Sequence, residues 1–184
     1  MPSRPSTFAM LCGLASCLAL GAANGPLGGD PVSFELKSSD FTTGSTIPQQ
    51  FTCVGADISP ALKWNDAPAN TQSFALITDD PDAPVGNWVH WVLYNLPASV
   101  HSLPQNFPKS EKAPDGTLQG RNDFGKIGYG GPCPPPGKPH RYFFKLYALD
   151  TQLALKPGAA KKDLERAMQS HILAQAETMA RFSR

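Results

Sequence analysis

The chain has little net charge, few cysteines and no repeated segment, and each shortage excludes something. Lys and Arg number 16 against 15 Asp and Glu, giving a formal charge of +1 and a pI near 7.7. A protein that holds nucleic acid electrostatically carries a basic face and usually a much higher pI, so no nucleic-acid partner is expected. No CxxC, HExxH, phosphate-binding P-loop or nucleophile-elbow serine occurs, which removes the short signatures of redox, zinc, nucleotide and serine-hydrolase sites. No metal and no cofactor is expected. No tract is of low complexity.

Proline is in excess. Nineteen in 184 residues is roughly twice the usual ~5%. Proline lacks an amide donor and breaks helix interiors, so short strands joined by ordered turns are favoured. The length suits one domain with its own core, and 41% apolar residues exclude disorder as the default.

The first two dozen residues stand apart in composition. Arg4 is their only charge, followed by an apolar run from Phe8 to Leu20 and the small residues Gly21-Ala22-Ala23. This is the layout of a secretory signal peptide over residues 1–23, too short for a membrane span. Cleavage after Ala23 would leave a Gly/Pro linker at 24–30 and a domain at 31–184, periplasmic or secreted. Leu14-Ala15-Ser16-Cys17 also resembles a lipoprotein box, with a lipid anchor at Cys17 as the minor reading. With Cys12 and Cys17 in the leader, only Cys53 and Cys133 remain in the domain. In an oxidising compartment they are candidates for a disulfide; two separate buried thiols are the alternative.

Strands are expected at Val32–Leu36, Ala61–Trp64, Phe74–Thr78, Trp88–Leu96 and Arg141–Leu149. The last two do not alternate cleanly with polar residues, which places them in a sheet covered on both sides. Residues 98–127 read as a long ordered excursion. From Leu164 through Ala167, Met168, His171, Ile172 and Ala176 to Met179 the spacing predicts an amphipathic helix. Lys161 and Lys162 read as its solvated start, and His171 as a core residue on its apolar face. The fold class is therefore mostly β: a sandwich with a C-terminal α-helix and long ordered Pro/Gly-rich loops.

Two loop-plus-strand units carry the candidate chemistry. In Asp80-Pro81-Asp82-Ala83-Pro84 the prolines hold two carboxylates in an extended loop; a plain Asx-turn is the structural alternative. It leads into Trp88-Val89-His90-Trp91, where strand alternation puts Trp88, His90, Val92 and Tyr94 on one face. A carboxylate beside His90 fixes its tautomer and favours its charged form. In the second unit, Gly130-Gly131-Pro132-Cys133-Pro134-Pro135-Pro136-Gly137 is neither helix nor ladder, and its glycines allow an anion-binding nest of amides. His140 and Tyr142 follow on one strand face with Arg141 on the other. His101 reads as solvated. Two imidazoles and two carboxylates on one polar pocket suit a small anion or a zwitterionic head group.

These two blocks, with Gly120-Arg121-Asn122-Asp123-Phe124-Gly125, Gly128-Tyr129 and Ser170-His171-Ile172-Leu173-Ala174, resemble the phosphatidylethanolamine-binding protein (Raf kinase inhibitor protein-like) family, bacterial branch. The match runs from about Phe34 to Phe182. The resemblance implies a Greek-key-like β-sandwich and a pocket for phosphate, phosphoethanolamine or similar groups. That pocket would be built from Asp80, Asp82, Trp88, His90, Gly131, Pro132, Pro134, His140 and Tyr142. In this reading the imidazoles donate to phosphoryl oxygens, Gly131 offers amides, Asp80 and Asp82 orient the histidines, and Tyr142 bonds the anion beside the wall formed by Trp88. Eukaryotic relatives act on kinases, proteases or flowering through protein contacts. The single histidine of Trp-Val-His-Trp departs from their double-histidine pattern, and kinase partners are not carried over. A non-catalytic binding protein is the first expectation. A protease or other protein inhibitor is the alternative, and a metal-dependent hydrolase using His90, His140 and a carboxylate is a third.

Overall fold

The structure is a computed structural model that describes Met1 and residues 33–184. The expected signal peptide, the linker and the anchor at Cys17 lie outside the described residues. Among the described residues no helix is long and apolar enough to cross a membrane.

Among the described residues eight strands form two antiparallel sheets. The smaller has the order β1-β2-β5, from Glu35–Ser38, Leu62–Asn65 and Ser102–Leu103. The larger has the order β6-β4-β3-β7-β8: Leu118–Gln119, Trp88–Pro97, Ser73–Asp80, His140–Leu149 and Ile172–Phe182. The α-helix α1 spans Lys161–Met168. The sheets close on each other through Leu36, Leu62 and Trp64 from the smaller, and Phe74, Leu76, Trp91, Phe144 and Leu146 from the larger. On the outer face of the large sheet, Ala75, Ile77, Val92 and Tyr94 pack beneath Leu164 and Met168 of α1. Every residue of β3 is buried, so the central strands are covered on both faces, as their unbroken apolar sequence predicts.

The expected helix stops early. It ends at Met168, and residues Ile172–Phe182 form β8 instead, paired along its whole length with β7 from His140↔Phe182 to Leu149↔Ile172. Ala176, Thr178, Ala180 and Phe182 are buried at every second position, while Ala176 and Met179 fit a helical stripe equally well. The open side of β7 offers a row of backbone donors and acceptors that only a strand can satisfy. Tertiary pairing decides between two compatible periods. His171 consequently sits in the turn before β8, half-exposed and paired with Asp150 at 2.8 Å, and is not a core residue.

Strand β4 slips against β3 in two places. Phe74 faces Leu96 but Leu76 faces Leu93, so β4 carries an extra residue there. Asn95, with φ +57°, takes up the turn, and its side chain brackets the backbone of Leu153 at 2.8 and 2.9 Å. The second slip lies at the site.

Candidate functional site

At the second slip, Thr78 faces Trp91 and Asp79 faces Val89, leaving His90 as the unpaired extra residue. A bulge of this kind re-aims a side chain. Trp88 and His90 line a cavity of about 150 Å³, whereas Val92 and Tyr94 pack under α1 on the other face. The single face expected for all four residues is thus split by the bulge.

The cavity wall combines Asp80, Trp88, His90, Phe124, Pro134 and His140, completed by Ala83, Pro84, Val85, Cys133 and Pro135. Both imidazoles therefore border one hollow, together with Asp80. His90 is 2% exposed. Its Nδ1 lies 2.6 Å from the carbonyl oxygen of Gly130. A carbonyl only accepts, so Nδ1 carries the proton and Nε2 is a lone-pair acceptor while the ring is neutral. Burial, the largest influence, pushes the His90 pKa down, against the Gly130 carbonyl and the Asp80 charge. The ring stands edge-on to Tyr142 and Phe124, with centroids 5.1 and 5.4 Å away.

His140 donates Nδ1–H to Asp80 Oδ2 at 2.8 Å. The other oxygen of Asp80 accepts the Asp82 amide at 2.8 Å, the Asx-turn weighed for this loop. Asp80 therefore orients the imidazole of His140, whereas the carboxylate expected beside His90 is replaced by the Gly130 carbonyl, and burial disfavours the charged form expected for that ring. Asp82 orients neither ring: Arg141 grips it with Nε and Nη2 at 2.9 and 2.7 Å, and with its backbone amide at 2.9 Å. That guanidinium holds the Asp82 carboxyl down at about 2. The pair sits outside the cavity wall.

The Gly/Pro loop is built for packing and is no anion nest. The Gly131 amide is engaged by Asp57 Oδ1 at 2.6 Å, and the Gly130 amide by the His90 carbonyl at 2.9 Å. Pro132, Pro134, Pro135 and Pro136 have no amide hydrogen. A Cβ on Gly131 would stand 2.5 Å from the Phe51 carbonyl oxygen and 2.8 Å from Thr52 Cα, so close backbone approach requires glycine there. The Pro132 carbonyl accepts the Cys53 amide at 3.1 Å, and the Pro134 carbonyl accepts Arg184 Nε at 2.6 Å. Cys53 and Cys133 are joined by a disulfide, with Cα atoms 5.4 Å apart, which fixes one wall of the cavity to the turn after Phe51.

Of the residues expected at the site, Asp80, Trp88, His90, Pro134 and His140 share one wall. Asp82, Gly131 and Pro132 lie behind or beside it. Tyr142 is buried, on the same strand face as His140, and its hydroxyl has no partner among the described residues. Burial first, and then the Asp80 charge, push its pKa well up; Asp80 lies close without meeting hydrogen-bond geometry. Trp88 Nε1 is likewise buried and unpartnered among the described residues. Phe124, to which local sequence assigns no role, packs edge-to-face against both Trp88 and His90, each at 5.4 Å. Its only signal was its place in the Gly120–Gly125 run. Lys161, read as solvated, instead reaches buried Asp79 at 2.6 Å. His101 is exposed, as expected.

A two-sheet sandwich whose large sheet ends in a bulged, histidine-bearing cavity defines the class of protein. The chain belongs to the phosphatidylethanolamine-binding protein family, whose pattern matches residues 37–183. A UPF0098 protein of Methanothermobacter thermautotrophicus is 49% identical over 149 residues, covering 81% of this chain and 98% of the relative. A UPF0098 protein of Pyrococcus horikoshii is 46% identical over 175 residues, covering 93% and 87%. Among solved structures, E. coli YbcL, described as a new member of the mammalian family, superposes with a TM-score of 0.76 at 36% identity, covering 82% of this chain and 98% of that one. A homologue from Chlamydia trachomatis gives 0.75 at 39% identity, covering 83% and 98%.

Proposed function

We propose that this protein is an exported, non-catalytic binding protein whose cavity holds a small phosphate-bearing or zwitterionic group. The observation that carries the reading is the meeting of His90, His140 and Asp80 in one small wall otherwise made of proline and aromatic rings. Each imidazole has its Nδ1 fixed by an internal partner, so both rings are pre-oriented before any ligand arrives, which lowers the cost of binding. Asp80 is placed to accept from an ammonium group. The disulfide supports an oxidising compartment.

Calorimetry with phosphoethanolamine tests this. His140→Ala and His90→Ala should each weaken binding by roughly tenfold or more, the worth of one charge-assisted hydrogen bond. Unchanged affinity in both variants overturns the assignment. The mass of the protein recovered from its native envelope should show a chain shortened at its N-terminus, with Cys53 and Cys133 oxidised.

A further inference from the structure

Among the described residues the wall of the cavity contains no lysine or arginine. Arg141 is occupied by Asp82, and Arg184 turns its Nε to the Pro134 carbonyl. Lys126 borders a neighbouring hollow, which also includes Asp57 and the disulfide. Every positive charge in the wall must therefore come from an imidazole. The Asp80–His140 pair sums to zero with a protonated ring and to −1 with a neutral one. His90 meets Asp80 and Tyr142 from β3 and β7, and Phe124 and the Gly130 carbonyl from the loops, with Asp79 and Asp123 as more distant charges. None of these is cationic. With His90 neutral, the wall carries no net positive charge in either state of His140.

A dianion entering such a hollow would lose its water without gaining a counter-charge, and burying uncompensated charge is costly. The polarity of the hydrogen bonds points the same way. Both Nδ1 protons are turned inward, so the polar atom left on a neutral His90 ring is the acceptor Nε2. An acceptor cannot bond a bare phosphoryl oxygen; it can bond a P–OH.

We propose that the cavity selects phosphoryl monoesters that bring or share a proton, so that capture takes up about one proton per ligand and discriminates against sulfate. This rests on the phosphate-binding reading above and names the protonation state that site accepts. The shared proton lies between a phosphoryl oxygen and His90 Nε2. A phosphate monoester has its second pKa near ~6 and accepts that proton from solvent close to neutrality. Sulfate, the anion of a much stronger acid, holds no proton in this range and makes a poor partner for one.

Titration of the intact protein with methyl phosphate, phosphoethanolamine and sulfate between pH 6.5 and 8, in two buffers of different ionisation enthalpy, decides the matter. Methyl phosphate lacks an ammonium group, which separates the phosphoryl proton from any ammonium contact with Asp80. Its association constant should fall about tenfold from pH 7 to pH 8, the slope for uptake of one proton. The apparent enthalpy should differ between the two buffers by about the difference between their ionisation enthalpies, the mark of one proton drawn from the buffer. Sulfate at pH 7.5 should bind at least about tenfold more weakly, the loss of one charge-assisted hydrogen bond. Phosphate binding that is flat with pH, or sulfate binding as tight as methyl phosphate, overturns this inference while leaving the phosphate-binding reading standing. No binding of either phosphate at any pH overturns both.

Discussion

Asp79 and Asp80 are consecutive residues of β3, yet their carboxylates serve opposite faces of the sheet. Asp79 is sealed under α1, 2.8 Å from Lys145 and 2.6 Å from Lys161, with Asn87 Nδ2 donating at 2.9 Å. Asp80 faces the cavity and holds His140. One strand end thus fastens the helix behind the site and orients the imidazole within it. Burial is the largest influence on Asp79 and works upward, but the two lysines and Asn87 together outweigh it and keep the carboxyl below its ordinary range.

Replacing Asp79 with Ala strips Lys145 of its carboxylate and leaves Lys161 only the more distant Glu165, 3.6 Å away. Breaking a buried pair from one side costs on the order of 3–5 kcal/mol, and Asp79 is fully buried. Urea denaturation should show a fall of that size at unchanged slope. A loss below about 1 kcal/mol would mean the contact behaves as a surface pair.

Asp80 and Asp82 should separate cleanly in a binding assay. Asp80→Asn loosens His140 and should weaken phosphoethanolamine by about tenfold, the worth of a charged hydrogen bond. Asp82→Asn disturbs only the clamp with Arg141, a half-exposed pair of small energetic weight, and should leave affinity within about twofold. Equal losses in the two variants would place Asp82 in the binding wall after all.

His90 gives the protein without ligand a pH dependence of known sign. Its folded pKa lies below the unfolded value of ~6.5, so the unfolded chain binds the extra proton. The contribution to stability is intact above the unfolded pKa and is lost as pH falls from there through the folded pKa. His90→Gln removes that titration. The stability gap between wild type and variant should therefore shift against the wild type between pH 7 and pH 5. Loss at still lower pH belongs to Asp79 and Asp82, whose depressed carboxyls lose their contribution as they protonate. A gap constant from pH 7 to pH 5 would show that His90 is not sealed in the folded state.

Much of the fold was legible because β4 and β7 are aromatic, β-branched and bounded by proline and glycine, features that local chemistry alone makes into strands. The helix beyond Met168 was not, since its residues satisfy two periods and only the vacant side of β7 chooses between them. At the site, the stiff acidic loop before β4 was readable from Pro81 and Pro84, but it pointed to an acid beside His90, whereas Asp80 takes His140 across the sheet and the Gly130 carbonyl takes His90. The partner swap was not: Arg141 and Asp82 are 59 residues apart, and nothing local tells which acid the guanidinium takes. The nest expected at Gly131 failed for a similar reason, since Asp57 lies 74 residues away. The bulge at His90 left no mark in the sequence, for it exists only relative to β3.

The two slips divide β4 into three blocks of independent phase. Trp91–Leu93 must stay locked to the dry interior, but the block ending at His90 and the one beyond Asn95 are geared to it through a spare residue each. Side chains at the mouth of the hollow can thus be exchanged without rotating the tryptophan and leucine behind them, so the rim of the sandwich can change shape while its interior stays constant.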